Sequence, residues 1–299
     1  MGVIELQSTG FASKLVVNLI FIFYSLCCIL PVLLVLSISF TDENSIMADG
    51  YHLIPKVFST YGYEYILSGT STILNAYKVT IFVTLAGAFS SLLVTSLIAY
   101  ALSRTEVKYR GQISFLIFFT ILFNGGLAPY YILVTRYLHL KDTLLILILT
   151  ALVSPVNIMI MRNFFKDVPS SIIESARIDG SGEFRTFFRI VLPVSTPVLA
   201  TIGLFSSVAY WNDWFTCSLF IENTKLYNLQ YLLQALMSNL DYLSTNAAAS
   251  KSLENAMVVL PGESARMATC ILAIGPIILL YPLLQKYFVK GLTLGAVKS

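Results

Sequence analysis

The chain has 299 residues, 57% of them hydrophobic and only 12% charged, with a mean hydropathy of +0.78. A soluble domain carries about 25% charged residues, so this chain cannot cover a water-facing surface and reads as membrane-embedded. Disorder and a disulfide-stapled secreted scaffold are excluded with it, and a net charge of +3 is too small to point to nucleic acid.

A helix needs about 20 mostly apolar residues to cross the hydrocarbon core. Six uncharged stretches are candidates, predicting an all-α integral membrane protein: 15–40, 79–103, 112–135, 143–161, 195–212 and 267–285. The first is too long for a signal peptide, about 25 residues against 7–15 for a signal core, and no small-x-small cleavage site follows it. It reads as a retained span. The third is interrupted by Asn124-Gly125-Gly126 and Pro129, which predicts a broken outer end. Pro155 in the fourth, with Pro276 and Pro282 in the sixth, each remove a backbone hydrogen bond and permit a kink.

Basic residues set the orientation. With the amino terminus inside, 12 of the 19 basic residues fall on the cytoplasmic side and 7 outside, most of those 7 on two long loops, 41–78 and 221–266. The expected order is a cytoplasmic segment 1–14, a six-span body 15–289 and a cytoplasmic tail 290–299. Within the second external loop, 229–237 has the pattern of an amphipathic helix. Cys27, Cys28, Cys217 and Cys270 lie in apolar stretches without metal or redox spacing, and read as small apolar fillers. The only histidines, His52 and His139, are in loops; there is no H-E-x-x-H and no pair of intramembrane carboxylates, so enzyme chemistry is not expected.

The loop 162–194 is long, charged and punctuated. Val168-Pro169-Ser170-Ser171 predicts a helix start, with serine as cap. Ile172, Ile173 and Ala176 then fall on one side, Glu174 and Arg177 elsewhere, and Gly180 ends the helix where a left-handed residue is needed. A second stretch, 183–191, places Phe184, Phe187, Phe188 and Val191 on one face and Arg185 and Arg189 on another, closed by Pro193. Such a helix–glycine–helix elbow suits a groove on a soluble partner; it suits the lipid interface equally well.

Glu174-Ser175-Ala176, then Gly180, then Ile190 with Leu192-Pro193, resembles the EAA loop of permease subunits of binding-protein-dependent ABC importers. Ser175 stands where that motif has its first alanine, a small-for-small change. Trp211-Asn212-Asp213-Trp214 and the tail 288–298 resemble the carbohydrate branch, which includes the smaller maltose-importer permease. Phe123-Asn124-Gly125-Gly126-Leu127, with Met161-Arg162-Asn163-Phe164-Phe165, is most similar to the subgroup that imports longer oligosaccharides.

The resemblance implies a type I importer transmembrane domain in the bacterial plasma membrane. It implies a second, homologous permease, two ATPase subunits and an extracellular solute-binding protein as partners, with a sugar as cargo and lipid around it. Ile172, Ile173, Glu174, Ser175, Ala176, Arg177, Asp179 and Gly180 would form the coupling helix seated on the ATPase. The chain has no G-x-x-x-x-G-K-[ST] loop, so it needs no cofactor of its own; ATP and magnesium would sit on the ATPase.

Asp213 lies roughly 30 Å along its span counted from Pro193, near the outer interface, where a carboxylate costs far less than at the bilayer centre. Trp211, Asn212, Asp213 and Trp214 therefore read either as a polar and aromatic rim of the translocation path or as an interfacial anchor. The rival classes are an importer permease for another solute and a proton-coupled carrier using Asp213.

Overall fold

The computed structural model describes residues 11–67, 70–123, 125–245 and 262–275. Among them the chain is helical, and its one extended pairing is an isolated antiparallel bridge between Thr41 and Phe58. The helices run α1 (Phe11–Ser39), α2 (Glu43–Asp49), α3 (Tyr61–Leu67), α4 (Thr70–Ser103), α5 (Arg110–Leu122), α6 (Leu127–Ile132), α7 (Leu144–Leu149) and α8 (Pro155–Lys166). Then come α9 (Ser170–Ile178), α10 (Glu183–Thr186), α11 (Leu192–Val194), α12 (Thr196–Trp211), α13 (Phe215–Phe220), α14 (Leu229–Thr245) and α15 over 263–275. Wide π-helical turns extend α6 through Leu133–Tyr137 and join α10 to α11 through Phe187–Val191.

Two described helices are long and apolar enough to cross a membrane, Leu15–Ser39 and Thr72–Ser103. The number rises to four if Arg110–Leu122 with Leu127–Tyr137, and Glu183–Val194 with Thr196–Trp211, are each one bent span. The second pair bends by 85°. Pro193 does not close the 183–191 stretch as expected: the helix runs on from the π-helical turn through Pro193 to Val194, and the break falls at Ser195.

The stretch 143–161 is likewise not one kinked helix. It is divided into α7, of 6 residues, and α8, of 12. Pro155 is the first residue of α8, and Ser154 caps it, its hydroxyl accepting from the Asn157 N–H at 3.4 Å. The proline starts a helix here and bends none. Half of the expected sixth span, with Pro276 and Pro282, lies outside the described residues, as do 1–10, Asn124, 246–261 and the tail motif 288–298.

The chain divides into two compact units. The first is Met1–Gly69 with Met237–Ile274. In it the side chains of α1 from Leu15 to Leu33 are exposed throughout, as suits a helix solvated by lipid. Phe40 lies between Phe58 and Tyr63, with ring centroids 5.5 and 4.9 Å away. Glu43 is buried, 4% exposed, because its carboxylate has work at the start of α15: it accepts the Glu263 N–H at 2.9 Å, the Ser264 N–H at 3.1 Å and the Ser264 hydroxyl at 2.8 Å. A carboxylate at free helix amides is favoured by hydrogen bonding and by the helix dipole together. Gly62 allows the close approach there, since a β-carbon would sit 3.0 Å from the Ser264 carbonyl.

The second unit is Thr70–Leu236 with Gly275–Ser299. Its spine is α4, which packs on α8 and α12 through small residues such as Ser91, Thr95 and Ala99. At Gly87 the ring of Tyr210 comes close to the backbone; a β-carbon would be 2.6 Å from it. The Tyr210 hydroxyl donates to the Ile148 carbonyl at 2.6 Å and so ties α12 to the end of α7. One apolar cluster gathers Val79, Val83, Ala88, Tyr210 and Phe220; another gathers Ala99, Tyr100, Met161, Phe165, Phe187, Val191, Val198 and Ile202.

Candidate functional site

The elbow between α8 and α12 belongs wholly to the second unit. Its first helix, α9, starts after Pro169 without the serine cap that the sequence suggests; the Ser171 carbonyl instead accepts the Ser175 hydroxyl at 2.8 Å. It ends as expected. Gly180 has φ +75°, its N–H donates to the Arg177 carbonyl at 3.0 Å, and the Ser181 N–H donates to the Ala176 carbonyl at 2.9 Å. Those two bonds are the Schellman closure, which satisfies free carbonyls through a left-handed residue. A β-carbon at Gly180 would meet nothing within 4 Å, so only the backbone conformation restricts this position.

Burial divides α9 into two faces. Ile173 and Ala176 are its buried residues, while Ile172 is 40% exposed, so the expected apolar trio is a buried pair. Glu174, Ser175, Arg177, Asp179 and Gly180 are exposed, and Ile178 is 87% exposed. The next stretch divides in the same way: Phe187 and Val191 are in the core, but Phe184 is 74% exposed and Phe188 half-exposed. The π-helical turn over these residues shifts the register away from the 3.6-residue period assumed from the sequence, and the single apolar face is lost.

A polar network holds the elbow to α4. Arg177 donates from Nε and Nη2 to one oxygen of Glu183, at 3.2 and 2.9 Å, and from Nη1 to Glu106 at 2.8 Å. The second oxygen of Glu183 accepts the Tyr100 hydroxyl at 2.8 Å, and the Arg104 guanidinium lies 4.7 Å from the Tyr100 ring centre. The bond from Tyr100, then the Arg177 guanidinium, hold the Glu183 carboxyl below the usual carboxylate range. Glu106 is held down by its own backbone N–H and then by Arg177. Two cavities flank the network. One, of about 520 Å³, is lined mainly by apolar groups including Leu97, Val107, Phe184 and Phe187; the other, of about 400 Å³, is lined by polar groups including Arg110, Lys166 and Glu174.

Sequence reasoning did not find this network. Arg177 and Glu183 stand six residues apart across a glycine turn, a spacing that no helix or strand period brings together, and Glu106 is 71 residues from its partner.

At the other candidate, Trp211 ends α12 and is 3% exposed. Asn212 is exposed, its amide donating to the Val208 carbonyl at 3.0 Å. The Asp213 carboxylate accepts the Thr216 N–H at 3.0 Å at the start of α13, and the Asn228 amide donates to the Asp213 carbonyl. Trp214 is 43% exposed and packs edge-on against Phe215. One turn thus holds all four residues but leaves only Asn212 and Trp214 open. Nearby, Asp142 has φ +58° and its carboxylate accepts the N–H groups of Asn223 and Glu222, which hold its pKa down.

Among the described residues no cluster of His, Cys, Asp or Glu could hold a metal ion. Residues 8–294 match the family described as the binding-protein-dependent transport system inner membrane component, and the chain belongs to it. It is a permease subunit of ABC importers, a membrane component and not an enzyme. Members work with a partner permease, an ATPase and a binding protein.

Among its relatives in Bacillus subtilis (strain 168) are the polygalacturonan/rhamnogalacturonan transport system permease protein YtcP, 38% identical, and the protein LplC, also 38% identical. The matches cover 92% of this chain and 94% of YtcP, and 91% of this chain and 90% of LplC. A solved chain from a bacterial ABC transporter involved in the import of the acidic polysaccharide alginate superposes with a TM-score of 0.79 at 27% identity, covering 94% of this chain and 99% of that one.

Proposed function

We propose that this permease moves oligosaccharides into the cytoplasm, received from an extracellular binding protein and driven by a separate ATPase dimer that holds ATP and magnesium. The observation that carries the cargo class is the near full-length likeness to YtcP, named for polygalacturonan/rhamnogalacturonan transport, and to the alginate transporter chain, described as involved in alginate import. The body has six spans with both termini cytoplasmic, a reading supported by the division of basic residues, 12 against 7. A homologous permease completes the pathway.

The elbow Ser170–Gly180 is the coupling helix. Its support is physical: Ile173 and Ala176 attach it to its own permease, and the opposite side, with Ser171, Glu174, Ser175 and Ile178, is left for a groove. ATP closes the ATPase dimer, the grooves move, and the elbows rock the membrane helices between inward- and outward-facing states. At the outer end Asn212 and Trp214 offer a hydrogen-bonding amide and an aromatic face to passing sugar, while Trp211 and Asp213 hold the turn that presents them. The path binds weakly, since tight binding would trap the cargo; affinity resides in the binding protein.

The test is uptake by the complete importer in proteoliposomes, with internal ATP and external binding protein. Oligogalacturonides, neutral oligosaccharides and amino acids are offered in parallel. ATP-dependent uptake of an oligosaccharide is expected. Uptake of amino acids alone would overturn the cargo class, and uptake without ATP under a proton gradient would overturn the mechanism.

A further inference from the structure

The buried side chains of α9 are Ile173 and Ala176, a narrow apolar attachment for a helix that must transmit force. Apolar contact is non-directional, so two small patches leave a short helix free to roll or slide. Directional bonds are needed to fix its angle, and Glu183 supplies them. One of its oxygens takes both Nε and Nη2 of Arg177 from α9, and the other takes the Tyr100 hydroxyl from α4. The Tyr100 ring is itself 7% exposed and packs on Phe165 of α8 and on Phe187, with ring centroids 6.5 and 5.1 Å away. A motion of α9 therefore reaches the ring at the end of the longest helix in this unit through one carboxylate.

We propose that Glu183 is a positioning residue for energy coupling, a joint that clamps the elbow to α4 so that movement of the ATPase groove becomes movement of the spanning helices. The proposal rests on reading α9 as the coupling helix. Stability is not the purpose of the joint: the Arg177–Glu183 pair is 39% and 54% exposed, and exposed ion pairs add little to stability. The joint matters for direction, because the chain between its two helices, with Gly180 and Gly182, is exposed but for a half-buried Ser181, and the Schellman bonds there close the end of α9 without tying it to α4. The Glu106 bond to Arg177 adds a second tether, from the α4–α5 loop.

The experiment uses the complete reconstituted importer and reads sugar molecules transported per ATP hydrolysed. Glu183→Gln and Tyr100→Phe, each removing one side of the joint and little volume, should lower that ratio by about fivefold or more, the low end of ordinary coupling energies. The double variant should be no worse than the poorer single one, and Glu183→Asp should recover part of the ratio. Wild-type ratios in both single variants, or losses that multiply in the double variant, would overturn the joint.

Ser175→Trp, on the outward side of α9, tests the underlying reading separately. If it still binds the ATPase and transports normally, α9 is not the docking helix and the joint falls with it. If it releases the ATPase while Glu183→Gln and Tyr100→Phe couple normally, the docking stands and the joint alone is wrong.

Discussion

The elbow and the turn at 211–216 both carry conspicuous sequence motifs, yet they treat their polar groups in opposite ways. In the turn, Asp213 is consumed internally: its carboxylate caps α13 and its carbonyl takes the Asn228 amide. In the elbow, Glu174, Ser175 and Asp179 stay exposed, and Arg177 and Glu183 are tied in a way that positions one helix against another. The side chains of the two regions should therefore fail differently when altered.

The largest effect is expected at Gly180. Gly180→Trp must hold a side chain at φ +75°, a strain of about 1–2 kcal/mol, in a surface with room for the ring. The protein should reach the membrane at normal abundance on immunoblots, with sugar uptake at background. Normal uptake would erase the functional difference between the two regions.

Next are the tryptophans, which should separate structure from path. Trp211→Ala empties a buried site and should cost about 3–5 kcal/mol, seen as a lower midpoint in detergent thermal unfolding. Trp214→Ala should leave that midpoint nearly unchanged and lower the maximal uptake rate more than the apparent affinity. Equal loss of stability in both would contradict the division of that turn into support and rim.

Asp213→Ala removes a helix cap worth about 1 kcal/mol, while Asp213→Asn keeps an acceptor for the Thr216 N–H and should be nearly silent in both unfolding and uptake. Loss of uptake in Asp213→Asn with unchanged stability would indicate that the charge itself serves transport.

The smallest effect concerns pH. Glu183 and Glu106 have folded pKa values below the ordinary glutamate value of about 4.3, so what they contribute is fully present above that value. It is lost only as pH falls through the lower folded values. The ratio of sugar to ATP should accordingly stay flat as the pH on the ATPase side falls from about 7.5 to 5.5. A titration of the ratio inside that range would contradict the ionised joint.

How much of this could be read from the sequence depended on how local the physics is. The left-handed end at Gly180 was legible because one residue type answers one backbone need. The spine α4 was legible from composition, although it starts at Thr70, nine residues before the apolar run. Pro155 misled because a proline inside an apolar run reads equally as a kink or as a helix start, and only the cap at Ser154 decides. The burial of Ile173, Ala176, Phe187 and Val191 within the chain itself escaped, because helical period alone cannot say how wide the buried face is, against what it packs, or where a π-helical turn shifts it. Glu43 gave no signal at all: its partners are 220 and 221 residues away.

Whether the elbow is where the ATPase drives this permease can be read by placing a photo-reactive amino acid at Ile178, the most exposed apolar side chain of α9. Irradiation of the assembled importer in lipid should give a covalent adduct between this chain and the ATPase subunit, with a yield that changes when ATP is added. Adducts with lipid alone, or none, would show that the exposed face of α9 lies in the membrane interface and would contradict that role for the elbow.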